Sequence, residues 1–271
     1  RAGGAGRGTP PASPTGPKAA TTPRKPPPRG PQRGVMEARP PAIVCAARNH
    51  AETGAVVRLI TREAGLIGAY VAGARGRTLR PVLIPGNKVE ADIRSRIEGA
   101  LPSAKLELLE SRGPWLGEPL ASAAIPWACS LTAAALPERH PYPALFDALG
   151  ALLDAVCHAP SARGWAAALV GYEALLLREL GYEVPVPRPN PDDFLALLDA
   201  LDRLAPRIAR YPLADRRSDV MGARAVLRDR LGKNSKQGHT QENPGVGREQ
   251  PRTRTPARSR ARGRKPMSSR Q

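Results

Sequence analysis

The chain has 271 residues, with 42 Lys and Arg against 24 Asp and Glu, and a formal net charge of +18. That length suits two modest domains, and the charge favours a polyanionic partner, nucleic acid before an anionic membrane. No apolar run approaches the roughly 20 residues of a membrane span, and three scattered cysteines do not imply a disulfide framework.

Cys45, Cys129 and Cys157 lie in apolar surroundings and none belongs to a CxxC pair. Buried free thiols in a reducing cytoplasm are expected, with no zinc site. Residues 1–35 carry seven basic residues, no acidic ones and nine prolines. Such a stretch cannot bury a core and is expected to be a disordered basic leader. Met36 stands immediately before the first patterned segment and is expected to be the natural start. A basic arm that touches nucleic acid is the functional alternative. The leader also has the Arg-rich, acid-poor composition of a transit peptide, but lacks an amphipathic helical pattern.

Residues 36–114 read as a small antiparallel barrel. Ala42–Ala47, Thr53–Thr61 and Gly65–Gly73 are short runs rich in β-branched residues, split by polar turns. Gly65, Gly68 and Gly73 fall where a tightly curved sheet needs residues without side chains. Ala74 to Arg80 is a loop with three arginines and no acid, opening onto Pro81–Asn87. In Asn87–Arg96, Val89, Ala91 and Ile93 alternate with charged residues, the period-two signature of a half-buried strand. Lys105–Arg112 alternates similarly and would close the sheet. Five strands in so short a span fit a Greek-key barrel of the OB type.

From residue 115 to 232 the period changes to that of helices. Leu120–Leu136 is alanine-rich, and Pro126 is expected to kink or start it. Pro141–His158 places Leu145, Leu149, Leu152 and Val156 on one face. Ser161 is expected to cap a third helix through Trp165, Leu169, Tyr172 and Leu176 to a stop at Gly181. Val184–Pro191 must be extended. Asn190 is expected to cap a fourth helix, with Pro191 first and Asp192 and Asp193 in its opening turn. Its stripe is Phe194, Leu197, Leu201, Leu204 and Ile208. Ser218 is expected to cap a last helix through Leu231. Together these make a bundle. Residues 233–271, with eleven basic and two acidic residues, are expected as a disordered basic tail.

Arg75, Arg77 and Arg80 lead the candidate DNA contacts, because clustered arginines beside glycines on an acid-free loop make an electrostatic footprint. Arg48, Arg58, Arg62, Lys88, Arg94 and Arg96 follow, with pairing to Glu52, Glu63, Glu90 or Asp92 as the alternative for several. Tyr70 has two readings, core packing first and base stacking second. His50 beside Glu52 is a turn pair rather than an acid–base couple. Asp192 and Asp193 suit a helix N-terminus rather than a metal. Without a glycine-rich GK[ST] loop, ATP hydrolysis is unsupported. No catalytic residue, metal or cofactor is expected.

Several stretches, taken in order, carry a family resemblance. Ala42-Ile43-Val44, His50 to Val57, Leu59 to Leu66, Gly73 to Gly76, and Leu83-Ile84-Pro85-Gly86-Asn87 resemble the start of the bacterial RecO family, especially its alphaproteobacterial members. Tyr172-Glu173 and Leu175 to Gly181 resemble the family's central helix, and Ala214 to Met221 its closing one. The resemblance spans residues 36–232. It implies an OB fold followed by a helical domain and a non-enzymatic mediator of recombination in DNA repair. Such a protein binds single- and double-stranded DNA and anneals complementary strands. It engages RecR and single-strand-binding protein and helps place RecA on gapped DNA, in the bacterial cytoplasm at the nucleoid. One departure stands out. Many members carry a cysteine-bearing, zinc-finger-like insert after the central helix, whereas here Gly181 runs through Tyr182 and Glu183 into prolines, with no cysteine after Cys157. Two readings from other classes stay open: an RNA-binding or ribosome-associated OB protein, and a nuclease.

Overall fold

The structure is a computed structural model. It describes residues 39–95, 99–182, 189–214 and 220–241, the last six of these without their side chains. Five strands come first: β1 (Pro41–His50), β2 (Gly54–Thr61), β3 (Gly65–Val71), β4 (Lys88–Arg94) and β5 (Ser103–Glu110). They form a closed barrel in the order β1-β2-β3-β5-β4. All pairings are antiparallel except β3 with β5, which meet in parallel at Tyr70 and Ser103. This is the OB-fold barrel that the strand pattern anticipates. A single 3₁₀ turn (Gly113–Gly117) leads to five helices: α1 (Ala121–Ala135), α2 (Pro143–His158), α3 (Arg163–Glu179), α4 (Phe194–Arg210) and α5 (Val220–Gln241).

The barrel's interior is filled by Val44, Ala55, Val57, Leu59, Ala69, Val71, Val89, Ala91 and Leu106, among others. Successive strand residues point to opposite faces, so the alternate residues of the same strands point outward. Ile43, Cys45, Ile60 and Leu66 do so, and they join the core of the helical part. β1 and β2 therefore read as nearly continuous apolar runs because both their faces are covered. β4, with one solvated face, keeps the clean alternation.

The junction between barrel and helices is tight. Arg139 donates its main-chain N–H to the Leu66 carbonyl at 2.8 Å. Gly65 has φ of +70°, and a Cβ there would lie 1.8 Å from the His140 carbonyl oxygen. Only glycine fits that approach. Within the bundle, Glu173 of α3 is fully buried and accepts from Trp127 Nε1 of α1 at 2.8 Å and Arg224 Nη2 of α5 at 2.7 Å.

Several local expectations change. Pro126 lies inside α1 rather than at its start. Ser161 makes no side-chain cap on α3, whose first residue follows Ala162. The cap of α4 is Asp193, whose carboxylate accepts the Ala196 N–H at 3.0 Å, while Asn190 accepts from Asp192 N at 3.1 Å in the preceding turn. Pro191 belongs to that turn, which moves the helix start three residues on. Ser218 lies outside the described residues. α5 passes Gly232 and continues to Gln241, with Leu231 and Ser235 buried.

Candidate nucleic-acid interface

The helices cover one end of the barrel's outer surface. A separate rim is formed by the β1–β2 turn at Ala51–Thr53 and by the first part of residues 72–87, which link β3 to β4 and return to the helices at Gly86, where a Cβ would lie 2.6 Å from Ile125. The two segments are joined. Arg75 donates its main-chain N–H to the Thr53 carbonyl at 3.3 Å and its guanidinium to the Glu52 carbonyl at 3.0 Å. The loop is held from within by Gly76 N to Gly73 O at 2.9 Å and Arg80 N to Gly76 O at 3.0 Å. Ala74, Val82 and Leu83 are buried in the barrel, whereas Arg75, Arg77 and Arg80 are exposed. The loop is thus an anchored platform that exposes its three arginines, with the Arg75 guanidinium resting on the Glu52 carbonyl.

The Pro85-Gly86-Asn87 sequence explains the anchoring. Asn87 is fully buried, and its amide Nδ2 donates to the carbonyls of Pro81 (2.8 Å) and Val82 (3.1 Å). Its Oδ1 accepts the Arg112 N–H at 2.7 Å. Gly86, at φ +91°, donates to Val44 O at 2.8 Å, and Val44 donates back to Asn87 O at 2.9 Å. One buried amide thereby satisfies the loop carbonyls and ties the loop to β1 and the end of β5. Asn87 and Arg112 are absent from the sequence-derived candidates, and only the Pro-Gly-Asn string marks the first of them.

Tyr70 packs on the outside of the barrel, not inside it. Its ring covers Gly54, where a Cβ would come within 2.4 Å of the ring, and meets His50 edge-on at 6.1 Å. Cross-strand register aligns Arg48, Val56, Tyr70, Ser103 and Arg94 in one row across all five strands. Directly paired residues share a face, so the row places two arginines on either side of a half-buried aromatic.

The remaining cations are sorted by position. Arg58 is half-buried, donates to the Ala133 carbonyl at 2.6 Å and pairs with Glu138 at 3.1 Å. Arg62 grips Asp147 of α2 at 3.0 Å, and this guanidinium holds the Asp147 carboxyl below the usual range. Arg112 is buried at the barrel's edge, pairing with Glu110 at 2.8 Å and with Asp154 of α2. Arg94 binds Asp92 at 2.9 Å and likewise lowers that carboxyl's pKa. Lys88 is exposed beside a cleft of about 320 Å³ between the barrel and α2 that Glu110, Arg112, Asp147 and Asp154 also line. Arg96 lies outside the described residues. Among the described residues, no carboxylate pairs with Arg75, Arg77 or Arg80. Arg58, Arg62 and Arg112 serve the junction with the helices, while the loop's arginines face solvent.

All three cysteines are free and buried, and burial pushes the Cys45 thiol up to about 12. Among the described residues, no group of three or more His, Cys, Asp or Glu is placed to hold a metal. No described helix is long and apolar enough to cross a membrane.

Comparison with known proteins assigns both halves in order. A family model described as "Recombination protein O N terminal" matches residues 36–112, and "Recombination protein O C terminal" matches residues 117–188. The chain is 39% identical over 186 residues to "DNA repair protein RecO" of Caulobacter vibrioides strain NA1000, covering 67% of this chain and 75% of that protein. It is 38% identical over 186 residues to the protein of the same name from Phenylobacterium zucineum, with the same coverage. The Rhodospirillum centenum protein is 44% identical over 148 residues, 54% of this chain and 58% of its own length. The first model falls on the barrel and its anchored loop, the second begins at the first helices, and the Caulobacter match runs through both: the chain belongs to the RecO family.

Proposed function

We propose that this chain acts in DNA repair as a non-enzymatic recombination mediator that binds single- and double-stranded DNA through the open end of its barrel. In this reading it anneals complementary strands and, with RecR, helps load RecA on gapped DNA coated with single-strand-binding protein, in the cytoplasm at the nucleoid. The relatives' shared name, DNA repair protein RecO, supports the role. The observation that carries the site is the sorting of charge. The junction arginines are taken up by Glu138, Asp147 and Asp154, while Arg75, Arg77 and Arg80 stand on a fixed loop with no carboxylate partner among the described residues.

The mechanism asks for backbone grip rather than sequence readout. Guanidinium groups on the loop displace counterions from phosphates, which supplies affinity independent of sequence. Holding one strand this way lowers its repulsion toward a second. Arg48 and Arg94 extend the track across the strands, and Tyr70 offers a stacking edge between them. No covalent step is required. Residues 36–114 would carry this DNA-binding unit and the helical part from 115 through the end of α5 the partner-binding one, with the basic segments 1–35 and 242–271 as accessories.

The test is annealing of two complementary fluorescent oligonucleotides by the full chain, across a salt titration, against the Arg75→Ala/Arg77→Ala/Arg80→Ala variant. Loss of three phosphate contacts should flatten the log–log salt dependence of single-strand binding by roughly 2 and slow annealing in step. Unchanged slope and rate would remove the loop from the mechanism. Preferential displacement of DNA by RNA would instead move the chain to the RNA-binding class.

A further inference from the structure

α3 and α4 run parallel, because their beginnings and their ends meet. Arg163 at the start of α3 lies over the Phe194 ring at the start of α4, 5.4 Å from its centroid. At the other ends, Tyr182 and Tyr211 stack with centroids 4.9 Å apart and planes 19° from parallel. The stack is built by the helix ends. Gly181, at φ +82°, donates to Arg178 O at 2.9 Å, and Tyr182 donates back to Leu177 O at 2.9 Å. This reverse turn after α3 is a Schellman cap, and it folds Tyr182 back over the helix end. α4 ends with Leu213 N bonded to Ile208 O at 3.2 Å, next to Tyr211.

Tyr182 is half-buried and rests on the helical core, whereas Tyr211 is 43% exposed. The Arg210 guanidinium sits 5.8 Å from the Tyr211 centroid. Arg203, Arg207 and Arg210 follow at helical spacing along α4, away from its apolar stripe, and Tyr211, just past the helix, comes one turn after Arg207 at the edge of that stripe. Arg203 pairs with Asp199 at 2.6 Å. Arg207 and Arg210 have no carboxylate partner among the described residues. Arginines at a helix C-terminus offset its dipole, and that alone would account for their sign. It does not account for an aromatic pair stacked flat at the same place with one ring left open to solvent.

We infer that the paired C-terminal ends of α3 and α4 form a second single-stranded DNA contact, separate from the barrel's loop. A base stacks beside Tyr211 to extend the Tyr182–Tyr211 pile, and Arg207 and Arg210 hold the flanking phosphates. Stacked tyrosines with arginines alongside are a sequence-tolerant platform for single strands. The inference deepens the annealing reading and rests on it for the identity of the nucleic acid. One chain would then hold one strand on the barrel and another on the bundle, which a single basic loop does not provide.

The experiment uses the full chain and a short oligo(dT) carrying 5-iododeoxyuridine. Irradiation should cross-link the wild-type protein at Tyr211, a readout that needs no substitution. Tyr211→Leu, which keeps an apolar cover on Tyr182, should weaken oligo(dT) binding about tenfold, while Tyr211→Phe binds as the parent does. Arg207→Ala with Arg210→Ala should lower the salt slope by roughly 1.4. Absence of a Tyr211 cross-link, together with parental binding by Tyr211→Leu, overturns the inference. The Arg75/Arg77/Arg80 variant, run in parallel, separates the two claims. Loss there alone sinks only the bundle site, and loss at Tyr211 alone sinks only the barrel loop.

Discussion

The buried pair of Glu173 and Arg224 sets a sharp energetic prediction. Their side chains are 1% and 6% exposed. The carboxylate accepts from Arg224 Nε at 3.1 Å, from Arg224 Nη2 at 2.7 Å and from Trp127 Nε1 at 2.8 Å. Arg224 also donates to the Leu201 carbonyl and lies 5.8 Å from the Trp127 ring. Four helices, α1, α3, α4 and α5, meet at these contacts. Burial pushes the Glu173 carboxyl up, and Arg224 and Trp127 pull it back. Glu173→Leu would strand a guanidinium in the core, which costs about 3–5 kcal/mol. Arg224→Met would strand the carboxylate at comparable cost. Glu173→Leu combined with Arg224→Met leaves no charge to desolvate, and the double variant should fall within about 2 kcal/mol of the parent. Urea unfolding followed by tryptophan fluorescence measures all four proteins, with Trp127 reporting directly on the site. Single losses that add to within about 0.5 kcal/mol in the double variant would show that the two residues do not act as a unit, and the reasoning would fail.

Two further outcomes test the junction between barrel and helices. Gly65→Ala should destabilise the fold by more than about 2 kcal/mol, beyond the 1–2 kcal/mol of a left-handed non-glycine residue, because its Cβ would meet the His140 carbonyl. Gly73→Ala is the control: φ is +68° there, but the nearest atom would be 4.0 Å away, so it should show the backbone cost alone. Equal losses at the two positions would count against the close approach. The second outcome concerns pH. Arg62 lowers the folded-state pKa of Asp147, so this pair's contribution is present at neutral pH and is lost as pH falls below about 4 and through the depressed value. The stability difference between the parent and Asp147→Asn should shrink over that range, and a difference constant from pH 7 to 3 would refute the linkage.

What the sequence revealed depended on how local the deciding contact was. β4 was legible because one of its faces is solvated, so Val89, Ala91 and Ile93 alternate with charges. The loop of Arg75, Arg77 and Arg80 was legible as an exposed basic segment because glycines and arginines without acids have nothing nearby to pack on. Arg58 and Arg62 were harder. Local acids such as Glu52 and Glu63 were the visible partners, yet their real ones are Glu138 and Asp147, on the far side of the barrel in sequence. No periodicity encodes that docking. The cap of α4 failed for a different reason. Asn190, Asp192 and Asp193 all suit an N-cap, and the choice falls to where the Pro191 turn ends. The last helix was expected to end at Leu231 because a polar, basic composition follows it, but burial of Leu231 and Ser235 on the two sides of Gly232 goes with a helix that continues through it.

The junction also explains why the barrel's cations are unevenly available. Residues 36–112 hold twelve basic residues against eight acidic, and 113–232 hold twelve against fourteen, so the helical part supplies the carboxylates that the barrel lacks. Three of them, Glu138, Asp147 and Asp154, are spent on Arg58, Arg62 and Arg112 at the covered end. The arginines at the junction are thus paired, while Arg75, Arg77 and Arg80 have no carboxylate partner among the described residues. In the proposed function, a polyanion approaching the barrel would be steered toward Arg75, Arg77 and Arg80 by this gradient more than by the chain's total charge. A tight junction is what keeps the gradient fixed: were the helices free to swing, Glu138 and Asp147 would release their arginines and the rim would lose its contrast. Rigid docking and selective presentation of the loop are therefore one design, in which the helical domain shapes the proposed DNA-binding surface by taking up the arginines beside it.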